Sequence, residues 1–369
     1  MNYIITGKNY TSKLLLKLKE KNVQVLTEKE LSDSKIFFNN KDKVYVPSES
    51  SLKIVLKRMK NKAKYQSVIS LKNKHKFRLL LKDFFPNFYF KKILLNNLKD
   101  FKIDPNKKYI VKPVKGFFGA GIRTLDKNSS LIKISSEIKK ELNKNSKIFS
   151  ESVISKNELL IEEYVEGDEY AVDMYYDDLG KPIVQNIYHH PSPNNIAYFH
   201  VLYYTSYAIF NNFLSLFKNF FLKLNKKLNA KSIAIHAEFK YSGQKMIPIE
   251  FNPLRYGGFG LADLTYHGFG INPFENFFDQ KKPDWKKIWK TRKKQYFGWV
   301  LGYNGTNIDI SKRKPNHKKF KSFFKNVIDY CEVDYKKNPV FAVMYIRESN
   351  YDKLMSLLKI NFDEYFIKK

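Results

Sequence analysis

Apolar and polar positions fall into short blocks whose period changes along the chain. "NYIIT" (2–6) and "VQVLT" (23–27) have the composition of strands, and "YTSKLLLKLKEKN" between them spaces its leucines for a helix face. Strand, helix and strand in that order predict a β-α-β unit, the opening of a parallel sheet, inside a small α/β unit spanning residues 1–70. The first apolar run is too short for a signal peptide. A helix over "LKNKHKFRLLLKDFF", stopped before Pro86, opens a second unit. From Lys107 to Phe278 the pattern is rich in strands, with helices around 130–143 and 208–228. The basic run "KKPDWKKIWKTRKKQ" (281–295) reads as a boundary, after which "NPVFAVMYI" and "SNYDKLMSLLK" give a strand and a helix. The expected division is 1–70, then 71–280 with lobes 71–158 and 159–280, then a small unit at 281–369. No internal repeat is visible.

One block is unusual. Pro182 to Phe217 contains no Asp, Glu, Lys or Arg in a chain that is 28% charged. The stretch "IAYFHVLYYTSYAIFNNFLSLF" has the length to cross a bilayer, yet it carries His200, Thr205, Ser206, Asn211 and Asn212. Its first half alternates, and helical spacing starts near Tyr207, so a buried strand followed by a helix is expected and a membrane span is not. Hydrophobic residues make up 43% of the chain, which supports a sizeable core. The formal net charge of +31 points to anionic partners, but only 7 of the 67 basic residues are Arg, the residue that base and phosphate recognition favours. Nucleic acid is therefore not the expected partner. The single cysteine, Cys331, excludes a disulfide framework and a thiolate metal site, and fits a reducing, cytoplasmic setting.

Four segments carry candidate chemistry. "YIVKPVKGFFGAGIRTL" (109–125) places Lys112 on a strand and Gly116, Gly119 and Gly121 in the loop after it. Such a loop lets backbone N–H groups approach phosphate oxygens, and equally makes an ordinary hairpin. "ELLIEEYVEGDEYAVDMYY" (158–176) leads through Glu162, Glu163, Tyr164 and Val165 to a turn at Gly167 and a returning strand with Glu169. Carboxylates there suit a purine edge and ribose hydroxyls, or form a solvated acidic hairpin. In "SIAIHAEFKYSGQKMIPIEFNP" (232–253) two strands flank a turn, with His236, Glu238 and Lys240 on one face and Pro248, Glu250 and Asn252 on the matching one. Glu238, Glu250 and Asn252 are a hard-oxygen set suited to Mg²⁺ shared with phosphates, or the charged outer face of a sheet. His189, His190 and His200, with Tyr188, Tyr198, Tyr203 and Tyr204 around them, line an acceptor pocket or pack within the sheet.

The order and type of these segments resemble the ATP-grasp superfamily, to which D-alanine–D-alanine ligase and biotin carboxylase belong. The resemblance covers about Lys74 to Asn272, with the small unit before it similar to the usual preceding domain. It implies an α/β and α+β protein: an ATP-grasp fold with an N-terminal parallel-sheet α/β domain and a small C-terminal α/β unit. It implies ATP and Mg²⁺, with Mn²⁺ as a substitute, and small-molecule carboxylate and amine substrates. Position by position, Lys74 (with Lys76 two residues on) and Lys112 match the phosphate-side lysines, and "KGFFGAG" the flap. Glu162 and Val165 match the adenine contacts, with Glu163 beside them, Glu169 the ribose contact, and Glu238, Glu250 and Asn252 the metal ligands. The family pattern E-x-N-x-R is broken here, because Leu254 intervenes and Arg255, the residue expected beside the transferred phosphate, lies five positions after Glu250. The activity implied is an ATP-dependent carboxylate–amine ligase. A phosphotransferase with a hydroxyl acceptor and a non-catalytic nucleotide- or polyanion-binding protein are the alternatives.

Overall fold

The computed structural model describes residues 1–7, 10–116, 119–146, 155, 157–192 and 200–369. At its N-terminus β1 (Asn2–Thr6), β2 (Gln24–Thr27) and β3 (Lys43–Tyr45) form a parallel sheet in the order β2-β1-β3. Parallel neighbours need crossovers, which the helical residues 13–21 and the helix Glu28–Asp33 supply. The second helix starts at a capping box, with Thr27 accepting from the Glu30 amide and the Glu30 carboxylate accepting from that of Thr27.

Next come β4 (Phe90–Leu94), β5 (Tyr109–Pro113), β6 (Arg123–Leu125) and β7 (Glu158–Glu163), antiparallel in the order β4-β7-β5-β6. Period-2 alternation divides this sheet's residues. Tyr109, Val111, Leu159 and Ile161 pack on Ile138 and Leu142 of the helix Leu131–Ser146, giving this lobe its own core. The alternate residues, among them Lys112 and Glu162, point to the opposite face.

The remaining strands are β8 (Asp168–Tyr176), β9 (Pro182–His190), β10 (Leu202–Ser206), β11 (Ile233–Tyr241), β12 (Met246–Pro253), β13 (Tyr296–Tyr303), β14 (Arg313–Pro315), β15 (Val327–Glu332), β16 (Val340–Glu348) and β17 (Phe366–Lys368). Eight of them form one antiparallel sheet, β12-β11-β8-β9-β10-β13-β16-β15, while β14 and β17 make a separate ribbon. The charge-free stretch supplies β9, β10 and the helix Tyr207–Leu228, capped by Ser206 and ended by left-handed Asn229. Phe213, Phe217 and Phe221 of that helix pack on Tyr170, Phe239 and Phe251 of the sheet. No helix among the described residues is long and apolar enough to cross a membrane.

Two expectations change. β7 and β8 are not arms of one hairpin, because they belong to different sheets and residues 164–167 cross between them. Nor do the residues after 281 stand apart: β13 pairs with β10 along Leu202–Ser206, so β13, β16 and β15 are the last three of the large sheet's eight strands. The basic run folds inward as well. Trp285 and Trp289, one turn apart on the helix Trp285–Trp289, bury against Phe210 and Phe269 while the lysines between them stay out.

Candidate active site

The β11–β12 hairpin sets one wall. His236 lies opposite Asn252 and Glu238 opposite Glu250, after which a bulge brings Phe239 opposite Pro248 and leaves Ile249 as the extra residue. Uninterrupted alternation would put Pro248 beside Glu250 and Asn252. The bulge turns it over to the Phe239 face, where its carbonyl accepts from Arg78 Nη1 at 2.7 Å. Glu238, Glu250 and Asn252 stay on one face. Asn252 is buried, while the two carboxylate side chains keep 26% and 18% of their surface open.

His236 sits behind this set. Its Nδ1 meets Asp173 Oδ1 at 2.8 Å and its Nε2 lies 3.5 Å from Glu238; the same Asp173 oxygen accepts from the Gly257 amide. Burial alone would push His236 toward neutrality, but the hydrogen bond to Asp173 and the charges of Asp173 and Glu238 outweigh it and lift its pKa to about 9. The imidazolium in turn holds Glu238 below the usual carboxylate range despite burial.

The opposing cations come from two short helices. Asn73, in extended conformation, ends the helix Lys62–Lys72 and caps the helix Lys74–Leu81 by accepting from the Lys76 amide. The kink divides what the sequence suggested as one helix, and it turns both Lys72 and Lys74 inward, where each is 4% exposed. Lys74 Nζ pairs with Glu250 at 3.0 Å and donates to the Gly116 carbonyl at 3.3 Å, so it spans from the large sheet to the glycine loop. Lys76 is exposed. One turn after Lys74, Arg78 grips both oxygens of Glu162 (2.5 and 3.1 Å) as well as the Pro248 carbonyl. Lys112 Nζ meets Glu162 at 2.6 Å. Burial would raise the Glu162 pKa, yet Arg78 and Lys112 hold it at about 2, and Lys112 itself is pulled below the usual lysine value by burial. The Glu162 carboxylate is thus committed to two cations.

A second buried carboxylate repeats that arrangement. Glu49 meets Lys72 at 2.8 Å and Arg255 at 3.0 Å; against the effect of burial, these two hold its pKa at about 2. Lys72 also donates to Asn252 Oδ1 at 3.1 Å. The extra residue before Arg255 is absorbed locally: Leu254 takes a left-handed φ of 66°, is fully buried, and bonds backbone-to-backbone with Ala234 and Val46. Arg255 is thereby brought back to the Glu49 side of the cleft.

Above these cations lies the glycine loop. Gly119 and Gly121 have φ of 70° and 73°, which favours glycine, and a side chain on Gly119 would meet open space. β7 ends at half-buried Glu163, and the crossing segment after it holds half-buried Val165 and then Gly167 with φ 111°. Glu169 follows on the same face as Glu238, paired with His190 at 2.8 Å and with Lys240 at 3.8 Å. The histidines divide by strand alternation. His189 stacks on Tyr170 under the helix side and bonds to Tyr204, whereas His190 faces Glu169 and stacks on Tyr203 and His200. Burial brings both His189 and His200 down to about 4, leaving them neutral. Tyr198 lies outside the described residues.

Among the described residues no three Asp, Glu, His or Cys side chains form a ready-made metal cage. Two partly open carboxylates and an amide oxygen on one face nevertheless fit Mg²⁺ chemistry, since that ion is commonly held by one or two carboxylates together with phosphate oxygens. Sequence reading missed Glu49, Lys72, Arg78 and Asp173, and placed His236 on the face of Glu238 without giving it a role. Arg78 had a signal, being one of seven arginines and one turn from Lys74; Glu49 had none.

Residues 106–263 match the family model described as the ATP-grasp domain. The chain carries an ATP-grasp domain. Solved structures share the fold over the length of the chain. An L-amino acid ligase from Bacillus licheniformis matches with TM-score 0.69 at 14% identity, over 100% of this chain and 98% of that one. A biotin carboxylase from Campylobacter jejuni, solved as a β,γ-ATP complex, gives 0.62 at 12% identity, over 100% and 92%. The biotin carboxylase domain of a Hydrogenobacter thermophilus 2-oxoglutarate carboxylase, in complex with MgADP, ADP and bicarbonate, gives 0.56 at 12%, over 99% and 90%. A sequence search of curated proteins finds no match.

Proposed function

We propose that this ATP-grasp protein is an ATP-dependent ligase that activates a carboxylate for attack by an amine or related nucleophile. The observation that carries the reading is the cleft itself: Glu250, on one face of the large sheet with Glu238 and Asn252, meets Lys74 of the helix Lys74–Leu81, which also reaches the glycine loop, with Lys112 of the small sheet nearby. ATP lies between the sheets. Lys74 and Lys112 neutralise its phosphates, and Gly116, Gly119 and Gly121 let the loop close on them. Arg78 and Glu162 fix Lys112 in position. The adenine edge falls to Glu163 at the end of β7 and Val165 of the crossing segment, and the ribose hydroxyls to Glu169. Glu238, Glu250 and Asn252 would hold Mg²⁺, which would supply Lewis-acid charge neutralisation at the phosphates.

The chemistry balances without a protein nucleophile. A substrate carboxylate oxygen attacks the γ-phosphorus, the bond to the β–γ bridging oxygen breaks, and ADP leaves. The nucleophile then attacks the acyl carbon, loses a proton, and expels inorganic phosphate. The chain's contribution is position and charge. Arg255, held by Glu49, faces the developing acyl phosphate. The test is a screen of carboxylic acids labelled with ¹⁸O in the carboxylate, with pooled amines, reading ADP and the label in released phosphate. Acid-dependent ADP with one ¹⁸O per phosphate supports a ligase. In a parallel arm with pooled alcohols, ADP matched by phosphorylated alcohol, with no labelled phosphate released in the acid arm, overturns it in favour of a phosphotransferase.

A further inference from the structure

A second cavity, of about 380 Å³, opens beside the cleft. Its wall comes from three consecutive helices and the foot of the glycine loop. Lys53, Leu56 and Lys57 belong to the helix Leu52–Arg58, Tyr65, Ile69 and Lys72 to the next, Asn73 and Lys76 to the junction and start of the third, and Lys115 precedes Gly116. Five of the nine lining residues are lysine and none is acidic. Roughly one residue in six of the chain is Lys, so composition alone would place one or two in a wall of this size.

The arrangement is ordered. Lys53 and Lys57 are four residues apart on a helix, hence side by side on the cavity rim, where two like charges repel. Among the described residues, Lys53, Lys57 and Lys76 make no ion pair. Beneath them lie Leu56 and the half-buried Tyr65 and Ile69, an apolar floor under a cationic rim. Two residues tie this cavity to the cleft. Lys72, in its wall, donates to Asn252 of the metal-side set, and Lys115 sits at the foot of the loop that covers the phosphates.

We infer that this cavity is the subsite for one of the reaction's substrates, a small molecule that carries two or more negative charges, phosphate or carboxylate, on a compact apolar body. Lys72 is answered by Glu49, but the exposed Lys53, Lys57 and Lys76 face no carboxylate among the described residues, and a polyanion seated over the apolar floor would relieve their mutual repulsion. The volume lies at the low end of ligand pockets, enough for a substrate of a dozen or so heavy atoms. This inference rests on the neighbouring cleft being the nucleotide site.

The test is calorimetric titration of inorganic pyrophosphate, and separately of tricarballylate, into the full chain saturated with Mg²⁺ and a non-hydrolysable ATP analogue. The expected result is binding of at least one of them that weakens about tenfold or more in Lys53→Ser/Lys57→Ser, with analogue affinity unchanged. The tighter of the two tells phosphate from carboxylate. Wild-type protein that binds the analogue but neither anion overturns the inference, as does anion binding of equal strength in the double variant. Failure to bind the analogue, with anion binding that still depends on Lys53 and Lys57, overturns the nucleotide reading and leaves an anion pocket.

Discussion

Glu162 and Glu49 are each clamped by two cations in the interior, and each sits where one part of the molecule meets another. Breaking such a set strands a charge. Arg78→Met removes the guanidinium that grips Glu162 and lies 4.2 Å over the Phe88 ring, and should cost about 3–5 kcal/mol in urea unfolding. A cost below about 1 kcal/mol would show that the pair is solvated rather than buried. Asp263 behaves in the opposite way. Its Oδ2 accepts from Ser12 at 2.5 Å, its Oδ1 has no described partner, and burial, with Asp329 adding to it, pushes its pKa up to about 7. The folded-state value is raised above the unfolded one near 4, so the protonated form favours folding. That stability is fully present below about pH 4 and is lost progressively until the pH passes about 7. Asp263→Asn should therefore raise the melting temperature relative to wild type at pH 8 and lose that advantage by pH 5. An advantage independent of pH would mean that Asp263 is ionised throughout.

At the scale of elements, two glycines separate structure from chemistry. A Cβ on Gly167 would lie 2.2 Å from the Tyr241 carbonyl oxygen, at a φ of 111°, so Gly167→Ala should destabilise the fold by on the order of 2 kcal/mol or more as the crossing segment is forced away from the hairpin. Gly119 has open space but a left-handed φ. Gly119→Val should leave the melting temperature within a few degrees and lower turnover at least about tenfold, because its strain falls on the closing loop. Equal effects of both variants on stability and turnover would contradict that division of roles. Elements of this kind were legible where periodicity is strong. The opening β-α-β, the β11–β12 hairpin and the switch to helix at Tyr207 follow from alternation and spacing, and so does the convergence of Glu238, Glu250 and Asn252. What sequence could not give is pairing between distant segments. Nothing local tells that β7 and β8 enter different sheets, that β13 joins β10, or that Ile249 bulges and turns Pro248 over. The clamp on Glu49 joins residues 206 positions apart, and such contacts leave no periodic trace.

For the whole molecule, a small four-stranded lobe and a large eight-stranded sheet meet across the segment 164–167, bridged by Lys74 and Arg78 from one helix. The positive charge spread over the surface contributes little to this, being screened within about 8 Å at physiological salt. What matters is the charge turned inward: buried lysines on one side, and carboxylates partly open to the cleft on the other. The central claim is that Mg²⁺ and ATP phosphates are held between them. Its most direct test is ADP release by Glu250→Gln and wild type, each over a range of Mg²⁺ concentrations, with pooled acids and amines. Glutamine preserves size and removes one anionic oxygen ligand, so the variant should melt within a few degrees of wild type, require more Mg²⁺, and turn over about a hundredfold more slowly or worse. ADP release by the variant equal to wild type at limiting Mg²⁺ would contradict the account.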